Sequence, residues 1–140
     1  MGVSNFQEAD LQNILDKGTV ETAVNQILTH VGNTSYALID FCKANDVLVQ
    51  AYSPIAHGEA MKNEAIVAMA DKYGVSVAQL CIKYVLQLDL VALPKIENPY
   101  HMTSNMDLAF TISLEDLKLL KTIDFKDYGE LTYFPVFSGK

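Results

Sequence analysis

Apolar and polar positions follow two rhythms along this chain. Residues 2–6, 23–28, 47–52 and 90–94 form short runs that are apolar at most positions. Runs of that length, apolar on both faces, predict strands of a sheet buried from both sides. The stretches between them repeat apolar residues every three or four positions and carry helix punctuation. Asn5 with Glu8 three residues later has the spacing of a capping pair and predicts a helix to about Leu15, stopped by Gly18. Asn33, Thr34 and Ser35 offer caps for a helix over 36–44, and a helix over 63–73 closes at Gly74. Ser76 and Gln79 form a capping box for a helix over 76–88, whose Val77, Leu80, Cys81, Tyr84, Val85 and Leu88 share one apolar face. A short helix near 99–108 and a last one over 114–123, begun by Ser113, complete the pattern. Residues 128–140 carry Tyr133, Phe134 and Phe137 with no clear period.

Strands alternating with helices are the signature of βα units and a parallel sheet. Four such units in a row are half of a (β/α)8 barrel, a fold of typically about 250 residues. The 140 residues of the chain fit that half. An open flavodoxin-like sheet is the competing architecture, and it would show five strands with a ligand loop after the first. The expected organisation is one α/β half-barrel domain over 1–140, made of four parallel βα units, a C-terminal helix and a tail over 125–140.

Composition narrows the function classes. Half the residues are hydrophobic and 19% are charged, which argues against disorder. No run of 18 apolar residues suggests a membrane span, and no basic segment followed by an apolar stretch opens the chain, so a cytoplasmic address is expected. Cys42 and Cys81 lack metal or redox spacing and read as buried small hydrophobes. A net charge of −7 disfavours nucleic acid and anionic membranes as partners. Small molecules and proteins remain.

The chemistry-bearing residues gather at the C-terminal ends of the predicted strands, where parallel barrels place their sites. They are Ser4 and Asn5, then Asn25 and Gln26, then Tyr52, Ser53 and Pro54, and finally Pro94 and Lys95. Gln26 on an otherwise apolar strand needs hydrogen-bond partners if buried.

Taken in order, Gly2-Val3-Ser4-Asn5-Phe6, Val24-Asn25-Gln26, Ala51-Tyr52-Ser53-Pro54 and Leu93-Pro94-Lys95 resemble the aldo-keto reductase superfamily. Phe41-Cys42, Tyr73-Gly74 and Ala78-Gln79 add to the likeness, which covers roughly residues 2–124 and corresponds to the C-terminal half of the family's TIM barrel. The resemblance implies an NAD(P)H-dependent carbonyl reductase, with NADP(H) as the first expected cofactor and NAD(H) as the alternative. By that likeness, Ser4, Asn5 and Gln26 hold the nicotinamide carboxamide and Tyr52 stacks on its ring. Ser53, Ile55 and Gly58 wrap the pyrophosphate, Lys95 pairs with a 2′-phosphate, and Asn105 contacts adenine. All of these are binding residues.

The sequence also departs from the family. Ile96 stands where a serine or threonine commonly follows the lysine, His101 where an arginine lies, and Ser104 where a glutamate contacts adenine. The place of the arginine has thereby lost a planar, permanently charged bidentate donor. His30 matches a family histidine, but Val31 replaces the proline after it. The family's aspartate, general-acid tyrosine, lysine and histidine come from the preceding part of the barrel. No catalytic residue and no metal ligand is therefore assigned here, and Tyr52, Lys95, His30 and His57 are not given those roles. The chain alone is expected to be inactive. Its expected partners are a nicotinamide cofactor and either a missing N-terminal half or a second copy; a noncatalytic nucleotide-binding or protein-interaction half-barrel is the alternative.

Overall fold

A computed structural model describes residues 1–96, 98–127 and 129. Four strands, β1 (Gly2–Ser4), β2 (Val24–Leu28), β3 (Leu48–Tyr52) and β4 (Val91–Leu93), form one sheet in the order β1-β2-β3-β4. Every neighbouring pair is parallel. A doubly wound sheet reverses its strand order at a switch point. No reversal occurs here, so the architecture is a segment of a singly wound barrel rather than a flavodoxin-like sheet.

Helices α1 (Glu8–Lys17), α2 (Tyr36–Ala44), α3 (Glu64–Tyr73), α4 (Val77–Gln87), α5 (Pro99–Asn105) and α6 (Leu114–Thr122) follow the predicted order. Their ends show why. Asn63 accepts from the backbone N–H groups of Ala65 and Ile66 at the start of α3, and Gly74 closes that helix in the left-handed region. Ser76 and Gln79 form their reciprocal capping box at α4. Ser113 accepts from the Asp116 N–H to open α6.

The start of α1 corrects the sequence reading. Its N-cap is Gln7, whose N–H donates to the Asp10 carboxylate at 3.1 Å. Asn5 lies two residues too early, in a left-handed turn with φ +61 that ends β1. The spacing from Asn5 to Glu8 mimicked a cap because a polar residue also stood at the strand end. The structure likewise adds short 3₁₀ turns over Ala56–Lys62, broken by non-helical backbone at His57 and Gly58, that no periodicity announced.

Strand residues alternate between the two faces of the sheet. Asn25, Ile27, Val49 and Ala51 point to the helical coat and are buried there with Leu11, Leu38, Ile39, Cys42, Leu80 and Val85. The opposite face carries Ser4, Val24, Gln26, Leu28, Leu48, Gln50, Tyr52, Val91 and Leu93. None of these side chains is charged, and Leu48, Val91 and Leu93 remain 46, 36 and 37% exposed. Among the described residues, the face that a complete barrel turns inward is thus only partly covered, contrary to the two-sided burial expected from the apolar runs.

Cys42 and Cys81 are free and buried as expected, and burial pushes the Cys81 thiol up to about 12. Among the described residues no single helix is long and apolar enough to cross a membrane. The aromatic residues Tyr133, Phe134 and Phe137 lie outside the described residues. Before them, Phe125 crosses over Gly32 and donates its N–H to the Gly32 carbonyl at 3.0 Å. Gly32 has φ +87, and a Cβ there would also meet the Phe125 nitrogen at 2.7 Å, so both conformation and space require glycine.

Candidate cofactor-binding site

Two left-handed residues shape the C-terminal edge of the sheet. Asn5, after β1, has φ +61; Ser53, after β3, has φ +51. Such angles are uncommon for residues with a Cβ and persist where surrounding contacts fix them. The Asn5 N–H donates to the Gln26 carbonyl at 2.9 Å, and the Ser4 hydroxyl donates to the same carbonyl at 3.1 Å. Behind them the fully buried Asn25 binds both polar groups of Phe6, its amide donating to the Phe6 carbonyl at 2.9 Å. The turn after β1 is thus clamped from β2. It leaves Asn5 Oδ1 buried with no hydrogen-bond partner among the described residues. An orphaned buried acceptor of this kind suits a donor amide brought by a ligand.

Ser4 is in register with Gln26, and Gln26 with Gln50. Leu28, Tyr52 and Leu93 form the next layer toward the strand ends. Ser4, Gln26 and Tyr52 therefore share the open face, with Tyr52 one layer above the amides. Tyr52, Ser53, Ile55, Gly58, Leu93 and Lys95 then border a cavity of about 380 Å³. Its wall is the tight loop after β3, where Ala56, His57 and Gly58 have φ of +48, +55 and +91. His57, exposed at the loop tip, lies with Nε2 3.2 Å from the Ser53 hydroxyl.

A second, larger cavity of about 710 Å³ opens beside the first, between the loop after β3, the start of α4 and helix α5. Ile55 and Lys95 border both cavities, and Asn105, only 7% exposed, borders the larger one. Helix α5 is held there by Gln79, whose amide donates to the carbonyls of Ser104 and Asp107 at 3.0 and 2.8 Å. Of the nine residues singled out in the sequence, six thus border one continuous trough. Ser4, Asn5 and Gln26 stand on the adjoining open face and line neither cavity.

The remaining candidates fall elsewhere. His30 is fully buried, its ring Nδ1 2.8 Å from the Val31 carbonyl and its ring edge-on to Phe125. A carbonyl only accepts, so Nδ1 carries the proton, and burial pushes the pKa of this imidazole down. It packs the loop after β2. Among the described residues no group of His, Cys, Asp or Glu side chains could hold a metal ion.

The trough lies at the C-terminal ends of parallel strands, and the family model of the aldo/keto reductases matches residues 1–124. The chain belongs to the aldo/keto reductase family. It is 32% identical to the glyoxal reductase of Bacillus subtilis over 89% of its length, and 37% identical to an aldehyde reductase of Saccharomyces cerevisiae over 88%. It covers 45 and 40% of those two proteins. An aldo-keto reductase of the silkworm Bombyx mori, solved with NADPH, superposes at a TM-score of 0.84 with 31% identity, over 97% of this chain and 44% of that one. The chain thus spans less than half the length of these relatives, and its fold is the corresponding part of an aldo/keto reductase barrel.

Sequence reasoning did not find the joining role of Gln79 between α4 and α5, although the residue was visible as a cap. It also gave no place in the site to Tyr100 and Met61, which border the larger cavity. An exposed tyrosine and methionine carry no signal until the fold sets them at a groove.

Proposed function

We propose that this chain is the cofactor-holding part of an NAD(P)H-dependent carbonyl reductase and that it lacks the proton-donating chemistry. Asn5 Oδ1, a buried acceptor left open beside Ser4 and Gln26, carries the reading. A nicotinamide carboxamide offers the N–H donors such an atom needs. Tyr52 presents an aromatic face at the next layer for the ring. The loop from Ser53 through Ile55 to Gly58 takes the pyrophosphate, and Lys95 and Asn105 serve the adenosine end. When bound, the cofactor supplies the hydride.

Carbonyl reduction also needs a proton donor within about 3 Å of the substrate oxygen. No residue of this chain is assigned that task, so the proposed contribution is binding and orientation. Calorimetric titration of the full chain with NADPH tests it: binding is expected, and Tyr52→Ala is expected to weaken it by about tenfold, in keeping with the loss of a stacking platform. Turnover of an aldehyde by the chain alone, abolished by Tyr52→Ala, would refute the division of labour.

The open sheet face favours one further element, a complementary set of βα units that completes the barrel. Its occupant must match an uncharged surface flanked by β1 and β4, whose outer edges pair with no strand among the described residues. The relatives' greater length supports units of that kind over a second copy of the chain. Light scattering separates the two, because self-pairing gives twice 15.5 kDa. A cytoplasmic setting, where nicotinamide cofactors occur and thiols stay reduced, belongs to the same proposal.

A further inference from the structure

We infer that the adenosine end of the trough does not select for a 2′-phosphate, so that NADH and NADPH bind with similar affinity. The inference rests on the cofactor reading above and adds to it which dinucleotides are accepted.

An elongated ligand with its nicotinamide near Tyr52 reaches the larger cavity past Ile55 and Lys95, which border both spaces. A 2′-phosphate there would bring nearly two negative charges at neutral pH. Holding it calls for strong, available donors, of which guanidinium forks are the most effective. Among the described residues the cavity wall offers one permanent cation, Lys95, and that lysine also borders the loop cavity where the pyrophosphate would draw on it. The ten basic residues of the chain are all lysines, so no arginine can reach the groove from another element.

Some of the strongest neutral donors of the wall are already engaged. The Gln79 amide spends its donors on the Ser104 and Asp107 carbonyls, and its oxygen accepts from the Ser76 N–H at 2.9 Å. Asn98 Oδ1 accepts from the Tyr100 N–H at 2.9 Å, and the Ser104 hydroxyl donates to the His101 carbonyl at 3.2 Å. Next to Lys95 stands Ile96, which has no side-chain donor. A neutral ribose hydroxyl asks less of this wall than a dianion, which meets one cation and the repulsion of a chain carrying seven excess negative charges.

The test is calorimetry of the full chain with NADPH and with NADH at matched ionic strength. Dissociation constants within about threefold of each other are expected. NADPH binding more than about tenfold tighter overturns the inference while leaving the cofactor reading intact. Absence of heat with both, at about 1 mM cofactor, removes the cofactor reading and this inference with it. A second measurement uses His101→Arg, which restores a fork at the groove wall. It is expected to improve NADPH over NADH by about fivefold, an advantage that shrinks with added salt. No change in that ratio would show that the 2′ position lies away from this wall and would also overturn the inference.

Discussion

Asn25, wholly buried between the sheet and its helices, donates its side-chain amide to the Phe6 carbonyl at 2.9 Å and lies with Oδ1 3.4 Å from the Phe6 N–H. The side chain continues a ladder that the backbone abandons at Ser4, because the left-handed turn at Asn5 carries the chain out of the strand. The buried acceptor at Asn5 therefore depends on an amide that lies on the opposite face of the sheet.

Replacing Asn25 by Leu keeps the branching and heavy-atom number of the side chain but strands two backbone groups in a dry environment. Leaving such groups unsatisfied costs about 1–3 kcal/mol each, and partial relaxation makes about 2–4 kcal/mol the expected total in urea unfolding. NADPH affinity is expected to fall as well, since the turn that holds Asn5 loosens. A variant with unchanged unfolding midpoint would show that the turn holds itself.

Lys72 reaches both oxygens of Asp116 at 2.7 and 2.8 Å, and the Tyr73 hydroxyl donates to the same carboxylate, fastening α6 to α3. The lysine first, then the tyrosine, holds the Asp116 carboxyl below its usual pKa, and the carboxylate in turn raises the pKa of Lys72. A carboxyl with a depressed folded pKa stabilises fully above its unfolded value of about 3.9 and loses that contribution as pH falls through the folded value. The lysine contributes fully below its unfolded value of about 10.4 and loses its share as pH rises through its raised folded value. Thermal unfolding should find Asp116→Asn less stable than the native chain at pH 7, with the gap closing as pH drops below about 4. A gap independent of pH would mean that charge contributes nothing at this contact.

Gly32→Ala places a Cβ against Phe125 at a left-handed φ. The conformational cost of about 1–2 kcal/mol adds to that of overpacking, about 1–3 kcal/mol, so a loss of about 2–5 kcal/mol is expected. Hydrogen exchange at the Phe125 amide should accelerate in parallel, because its acceptor is the Gly32 carbonyl. An alanine variant of native stability and native exchange would remove this crossing from the fold's supports.

On the open sheet face, Leu48→Glu with Val91→Glu introduces charge where the barrel interior would be. In the isolated chain both positions are partly exposed, so secondary structure measured by circular dichroism is expected to persist. Binding of a complementary set of βα units should fail, since unpaired carboxylates would be buried. Retained binding in a pull-down with such units would place the contact on another surface.

Much of the architecture could be read from the chain because βα units announce themselves twice, by short apolar runs and by helix ends. Ser76 with Gln79, Gly74 and Ser113 each form a cap in the structure as the sequence predicts, while Asn63, read as the first helical residue, proves to be an N-cap. Asn5 misled because a polar residue before a helix fits a cap and a strand-end turn equally well, and only the backbone angle separates them. The strand runs proved longer in sequence than in structure, since residues such as Phe6 and Val47 stay apolar for packing after the ladder has ended. The site was legible as a set of residue types at strand ends. The trough was not, because it depends on Gln79 drawing α5 alongside α4 across twenty-five residues of chain.

The order β1-β2-β3-β4 has a further consequence for how the protein comes into being. Each strand pairs with the one made just before it, so no edge waits for a segment still to be synthesised in order to close an internal gap. During synthesis, at about 5–20 residues per second, the sheet can grow in the direction in which the ribosome delivers it. Each newly made strand is then the growing edge, and it must be kept from wrong partners only until the next one is delivered.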